Sequence, residues 1–189
     1  MRVLLIGGTS NVGKSSVAEV VAARLGFEHR STDYLARHPG RPWRTPGREV
    51  PPHVVEHYST LSVDELVASV LAHYERLWPR IEELVSTHPG LVLEGSALWP
   101  GRVAALSPTD VAAVWLTAED GVIRSRIHTS GDYRNGTDDE RALMDTFLAR
   151  SVRFQELVLA EVERLGLRHI HQAGQSIPEL ADLVLTGTV

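Results

Sequence analysis

The sequence contains no cysteine, so no disulfide can staple the fold, no thiolate can hold a metal and no cysteine nucleophile can carry a reaction. It contains a single lysine, Lys14, against 18 arginines. A compact ammonium kept in a chain so rich in the planar guanidinium fork marks a position that the fork does not serve. No apolar run approaches the roughly 20 residues needed to cross a bilayer, so no membrane partner is expected. An excess of positive charge is also missing. The 19 basic residues are outnumbered by 24 acidic ones and the formal charge is −5, which argues against a nucleic-acid partner and leaves a small molecule as the expected ligand. Met1 to Ile6 turn apolar at once and run into a glycine motif, with neither the basic stretch nor the cleavage site of a secretory leader, so cytoplasmic residence is expected.

What is present is an ordinary globular composition. The 189 residues are 43% hydrophobic and 23% charged, enough for one domain with one core and no repeat. Monomer and homodimer both stay open.

The chain alternates between two periodicities. Residues 2–6 form an almost unbroken apolar run, the pattern of a strand buried on both faces of a parallel sheet. Val17, Val20, Val21 and Leu25 then recur at helical spacing from Lys14 until Gly26 stops the helix. A short second strand is predicted over Phe27–Ser31, leading to Asp33. Residues 37–52 carry five prolines and two glycines and read as a long irregular loop. Ser62 and Glu65 form a capping box for a helix with Leu66, Val70 and Leu77 on one face, which Pro79 should kink or restart. Leu91–Glu94 and Val111–Leu116 read as the third and fourth strands, and Thr117 is expected to cap a helix running to about His128. A polar stretch from Ser130 to Thr137 precedes a long helix to about Leu165, a fifth strand over 167–171 and a last helix over Ile177–Leu185. Alternating strands and helices predict an α/β fold, a five-stranded parallel sheet with helices on both faces.

Gly8-Thr9-Ser10-Asn11-Val12-Gly13-Lys14-Ser15 matches G-x-x-x-x-G-K-[ST] in full, between a predicted strand and a predicted helix, followed by Ser16. The glycines let the loop curl so that backbone N–H groups and the helix N-terminus face phosphate oxygens. Lys14 neutralises those oxygens, and Ser15 can ligate Mg²⁺. ATP and Mg²⁺ are therefore the expected cofactors. A guanine-reading N-K-x-D motif would need a second lysine, so adenine is the expected base.

With this loop, Ser31-Thr32-Asp33 after strand two, Leu93-Glu94-Gly95 with Pro100 beyond it, and an arginine-bearing polar stretch, the chain resembles the P-loop small-molecule kinases of the adenylate kinase and shikimate kinase types, and in places 2-phosphoglycerate kinase. The resemblance covers nearly the whole length and implies a P-loop NTPase fold with a mobile lid at 128–137 and an acceptor-binding region at 33–60. It implies that Asp33 binds the acceptor hydroxyl and takes its proton. A helix cap is the alternative for this residue. It puts Glu94 either on magnesium through water or on the acceptor, a strand-terminal carboxylate simply bonded to a loop being the alternative, with Gly95 and Arg102 on the acceptor side, and finds no aspartate at the end of strand four as a second metal anchor. It assigns Arg126 to adenine and Arg134 and Arg150 to phosphates, although in so arginine-rich a chain some members of this set must be solvated surface. Arg37, Arg41, Arg44 and Arg48 crowd the proline-rich loop beside Trp43 and suit an anionic acceptor, or simply a soluble loop.

Two other readings have some footing. His53-Val-Val-Glu-His57 spells the H-x-x-E-H of inverted zinc peptidases, but no third ligand is evident. A P-loop shows nucleotide binding and not reaction, so an ATP-binding switch that transfers nothing is the alternative to a kinase.

Overall fold

Alternating side chains on the central strand decide the layers. In β1 (Val3–Gly7), Leu4 and Ile6 point to one face of the sheet, where α1 (Lys14–Leu25) and α7 (Ile177–Thr186) supply Val17, Val21, Leu180 and Val184. Val3 and Leu5 point to the other, where α3 (Val63–Thr87) and α6 (Asp138–Arg164) supply Val70, Ile81, Phe154 and Val158. Because successive side chains of a strand face opposite ways, a run apolar at every position is the signature of a sheet covered on both sides.

The structure, a computed structural model, describes residues 1–35, 39–45, 47, 49–106 and 110–187. Among these, β1, β2 (Glu28–Ser31), β3 (Leu91–Glu94), β4 (Val111–Ala118) and β5 (His169–Gln172) form one parallel sheet in the order β2-β3-β1-β4-β5. The α/β expectation with helices on both faces holds. Order reverses at β1, whose neighbours are β3 and β4, so the crevice beyond the carboxyl ends of these strands is where an open α/β sheet takes ligands.

Several local expectations are corrected. Residues 53–60, assigned no element in sequence, are not loop: Pro51 and Pro52 start α2 (Pro52–Thr60), because proline's fixed φ and missing N–H suit the first turn of a helix. Val54 and Tyr58, four residues apart, bury its inner face. Helix α3 neither stops nor restarts at Pro79, since its buried stripe of Leu77, Trp78, Ile81 and Val85 continues through the proline, which lies on the solvent side. Thr117 does not cap α5 (Asp120–Ser130): β4 extends to Ala118, the Thr117 hydroxyl meets His171 Nδ1 at 3.1 Å, and Glu119 takes the cap position without a side-chain bond. The capping boxes at Ser62/Glu65 and Thr137/Glu140 are both present. A short α4 (Pro100–Ala104), absent from the sequence reading, follows β3.

Candidate active site

The loop from Gly8 to Ser15 leaves β1 and enters α1 in a conformation that its glycines permit. Gly8 has φ +133°, and a Cβ there would sit 2.3 Å from the Leu116 carbonyl oxygen of β4. Gly13, at φ +92°, is the left-handed residue that turns the chain into the helix. Val12 is fully buried beneath the loop, and the Thr9 hydroxyl donates to the Ser151 carbonyl of α6 at 2.8 Å, so the loop is pinned from both ends.

Lys14 is buried, and its ammonium donates to the Thr9 carbonyl at 2.7 Å. Burial lowers its pKa, and the negative charges of Glu94 and Asp33 work against that shift. Ser15 Oγ donates to Glu94 Oε1 at 3.0 Å. Glu94 is itself buried at the end of β3, in register with Ile6 of β1 on one side and Ser31 of β2 on the other. A hydroxyl and a carboxylate this close can share one cation. The pair fits Mg²⁺, which takes few protein ligands and fills its shell with water and phosphate oxygens.

A cavity of about 970 Å³ opens over this loop. Ser10, Asn11, Gly13, Lys14, Ser15 and Ser16 line its floor, with Arg126 on one flank. The Arg126 guanidinium donates to the Asn11 carbonyl at 2.9 Å and lies 3.4 Å from where a Gly13 Cβ would be, with Ile177 of α7 beyond. Asp33 enters the cavity from a single 3₁₀ turn, Thr32–Tyr34, after β2. The cap of that turn is Ser31, whose hydroxyl accepts from the Asp33 N–H at 3.3 Å, and not Asp33 itself. Among the described residues the Asp33 carboxylate has no hydrogen bond or ion pair.

Opposite the floor, α6 presents Arg150. It is only 6% exposed, its guanidinium lies 5.2 Å from the centroid of the Phe147 ring, and among the described residues no carboxylate pairs with it. Its charge is felt at Lys14, Tyr74, His57 and Tyr58, which puts it between the phosphate loop and the wall made by α2 and α3. Arg41 and Gly95 also line the cavity.

The remaining predicted residues lie elsewhere. Arg102 does not reach the cavity: Glu75 of α3 holds its guanidinium at the surface, with Nε 3.0 Å from Glu75 Oε1. Arg44 turns away from it to pair with Glu140 at 2.8 Å, beside a smaller crevice of about 360 Å³. Arg134 is exposed in the run of turns over 131–136 and does not line the cavity. Arg37 and Arg48 lie outside the described residues.

Sequence reasoning missed part of the cavity's far wall, His73 and Tyr74 of α3 and Ser96, which stand beside His53 of α2 and Leu77 of α3. The Tyr74 phenol, hydrogen-bonded to Ser96, is pushed up to about 12 by burial. The only local signal was a polar His73 interrupting the α3 stripe. That does not distinguish a cavity from solvent.

No protein-family model and no curated protein matches the sequence. Solved structures do match. A gluconokinase from Sinorhizobium meliloti 1021 superposes with a TM-score of 0.60 at 21% identity, over 99% of this chain and 91% of that one. Shikimate kinase from Aquifex aeolicus matches with a TM-score of 0.56 at 15% identity, over 98% of this chain and 95% of that one. The fold is that of the P-loop small-molecule kinases. Thymidylate kinase from Candida albicans, at 16% identity and a TM-score of 0.51 over 98% of this chain and 89% of that one, extends the same fold to a nucleotide kinase. Among these P-loop kinase folds, identities of 15–21% leave the reaction to be argued from the site.

Proposed function

We propose that the protein is a phosphotransferase that moves the γ-phosphate of MgATP to a hydroxyl of a small anionic molecule. The observation that carries this reading is the placement of Lys14 and Asp33 in one cavity. One is a buried ammonium on a phosphate loop. The other is a carboxylate with no partner among the described residues, held in front of that loop by its own turn. A protein that only binds nucleotide has no need for such a carboxylate.

Each residue then has a task. The loop N–H groups and Lys14 hold the phosphate oxygens, and Ser15 with Glu94 would hold Mg²⁺, whose charge neutralises the phosphates when it is bound. Asp33 accepts a hydrogen bond from the acceptor hydroxyl and takes its proton as the oxygen attacks in line. Arg150 faces the charge that moves between donor and acceptor. Arg126 flanks the nucleotide, and Arg134 would reach it only by movement of segment 131–136.

An anionic acceptor follows from charge. Among the described residues, four cationic side chains, Lys14, Arg41, Arg126 and Arg150, line the cavity against two carboxylates, Asp33 and Glu94. Lys14 belongs to the phosphate loop, and Arg126 of α5 is bonded to it at Asn11. Arg41 and Arg150 are left facing the acceptor end, where His53 and His73 add further donors.

The test is acceptor-dependent ADP release from MgATP across a panel of sugar acids, other hydroxy acids, sugars, phosphorylated sugars and nucleotides, with Asp33→Asn beside the wild type. An acid that raises release many-fold in the wild type, and about 10²- to 10⁴-fold less in the variant, supports the reading. ATP binding without stimulation by any member of the panel would favour the switch. Normal turnover by Asp33→Asn would remove Asp33 as the base.

A further inference from the structure

The proline-rich loop drives one large ring into the interior. Trp43 is 4% exposed, although Arg41, Arg44 and Thr45 around it are all exposed. Its indole stands edge-on to Phe147 of α6, centroids 5.0 Å apart and planes at 83°. Arg41 Cζ lies 5.7 Å from the indole centroid, and Arg150 Cζ lies 5.2 Å from the Phe147 centroid. The two acceptor-side arginines of the cavity are thus seated on two rings in contact: Arg41 on Trp43, Trp43 against Phe147, Phe147 under Arg150.

The indole also lies close to Gly131. A Cβ on Gly131 would lie 3.2 Å from Trp43 Cγ and 2.3 Å from Met144 Sδ. Gly131 has an ordinary φ of −95°, so glycine is needed there for space and not for conformation. It opens the run of turns over 131–136 that carries Arg134. A separate tie holds the loop to the start of α6, where Arg44 pairs with Glu140. Among the described residues Trp43 Nε1 is buried without a hydrogen-bond partner.

We propose that Trp43 is a positioning residue that couples anion binding at Arg41 and Arg150 to the placement of segment 131–136. An anion drawn to the two guanidiniums fixes the rings beneath them, and the indole sets the backbone of Gly131. The segment bearing Arg134 then settles against the nucleotide only when the acceptor end is filled. This rests on the kinase reading above. Its effect would be to restrain hydrolysis of ATP when the acceptor is absent.

Amide hydrogen exchange separates the two ideas, with MgADP and inorganic phosphate as probes. In the wild type, MgADP should protect the amides of 8–16, and added phosphate should slow exchange in 131–136 by roughly tenfold. Trp43→Leu, which keeps apolar volume but removes the aromatic face, should retain protection at 8–16 and lose the phosphate-dependent protection at 131–136. Trp43→Phe should restore it. If Trp43→Leu does not fold, Gly131→Ala presses the same contact from the other side and should likewise uncouple 131–136 while leaving 8–16 protected. Full phosphate-dependent protection of 131–136 in the uncoupling variant overturns the coupling alone. Absence of protection at 8–16 in the wild type overturns the nucleotide reading and the coupling with it.

Discussion

The Ser15 hydroxyl donates to the Glu94 carboxylate at 3.0 Å, joining the first turn of α1 to the end of β3. The two residues are 79 positions apart in sequence. They meet because β1 and β3 are parallel neighbours in register, with Ile6 opposite Glu94. If the pair holds Mg²⁺, Glu94→Gln should lower magnesium-dependent turnover by about 10- to 100-fold and raise the magnesium concentration needed for half activity. Nucleotide binding measured without magnesium should change little. Unchanged magnesium dependence would take Glu94 off the metal and leave it to the acceptor or to its bond with the loop.

Lys14 is a buried cation whose pKa is depressed first of all by desolvation. The fold therefore bears a cost to keep it charged. Lys14→Met retains the apolar stem and removes that cost, so turnover should fall by at least about 10²-fold, the scale for losing one preorganised charge-stabilising group. The thermal midpoint should stay level or rise. A clear drop in the midpoint would mean that Lys14 is part of the scaffold.

Gly95 follows Glu94 at φ +154°, and a Cβ there would meet Thr32 Oγ1 at 1.8 Å. Thr32 is buried and immediately precedes Asp33, so the clash cannot be relieved without moving the turn that carries the carboxylate. Gly95→Ala should destabilise the fold by about 1–3 kcal/mol and lower kcat beyond what the loss of folded protein explains. Denaturant unfolding and active-site titration measure the two effects separately.

Burial lowers the pKa of His57 and of His73 below the ordinary 6.5, helped by Arg150 at the first and Arg76 at the second. A folded-state value below the unfolded one means that the fold favours the neutral ring. The stability it contributes is complete above about pH 6.5 and is lost as pH falls through the folded values. The thermal midpoint should therefore fall between about pH 7 and about pH 5, and replacing both histidines with glutamine should flatten that slope. An unchanged slope would remove these two rings as the source of the acid sensitivity.

The phosphate loop was legible in sequence because its function is contiguous: eight residues between one strand and one helix contain the turn, the ammonium and the hydroxyl. Strands β1 and β3 were legible because a sheet covered on both faces requires unbroken apolar runs. Helix α2 was not, since Pro51 and Pro52 end one kind of element and begin another, and only the packing of Val54 and Tyr58 distinguishes the two. The arginines divided for the same kind of reason. Arg41 and Arg44 are three residues apart in one loop, yet one lines the cavity and the other pairs with Glu140 outside it.

By itself, then, the sequence determined the α/β alternation, the phosphate loop and the absence of thiol chemistry, because periodicity and a local motif are properties of neighbouring residues. Only the tertiary structure decided which side chains share the cavity. The order β2-β3-β1-β4-β5 brings Asp33, Glu94 and Lys14 together at the carboxyl ends of three neighbouring strands, and the packing of α6 buries Arg150 in the same cavity. Neighbours in space are set by strand register and helix docking, and no spacing along the chain encodes either.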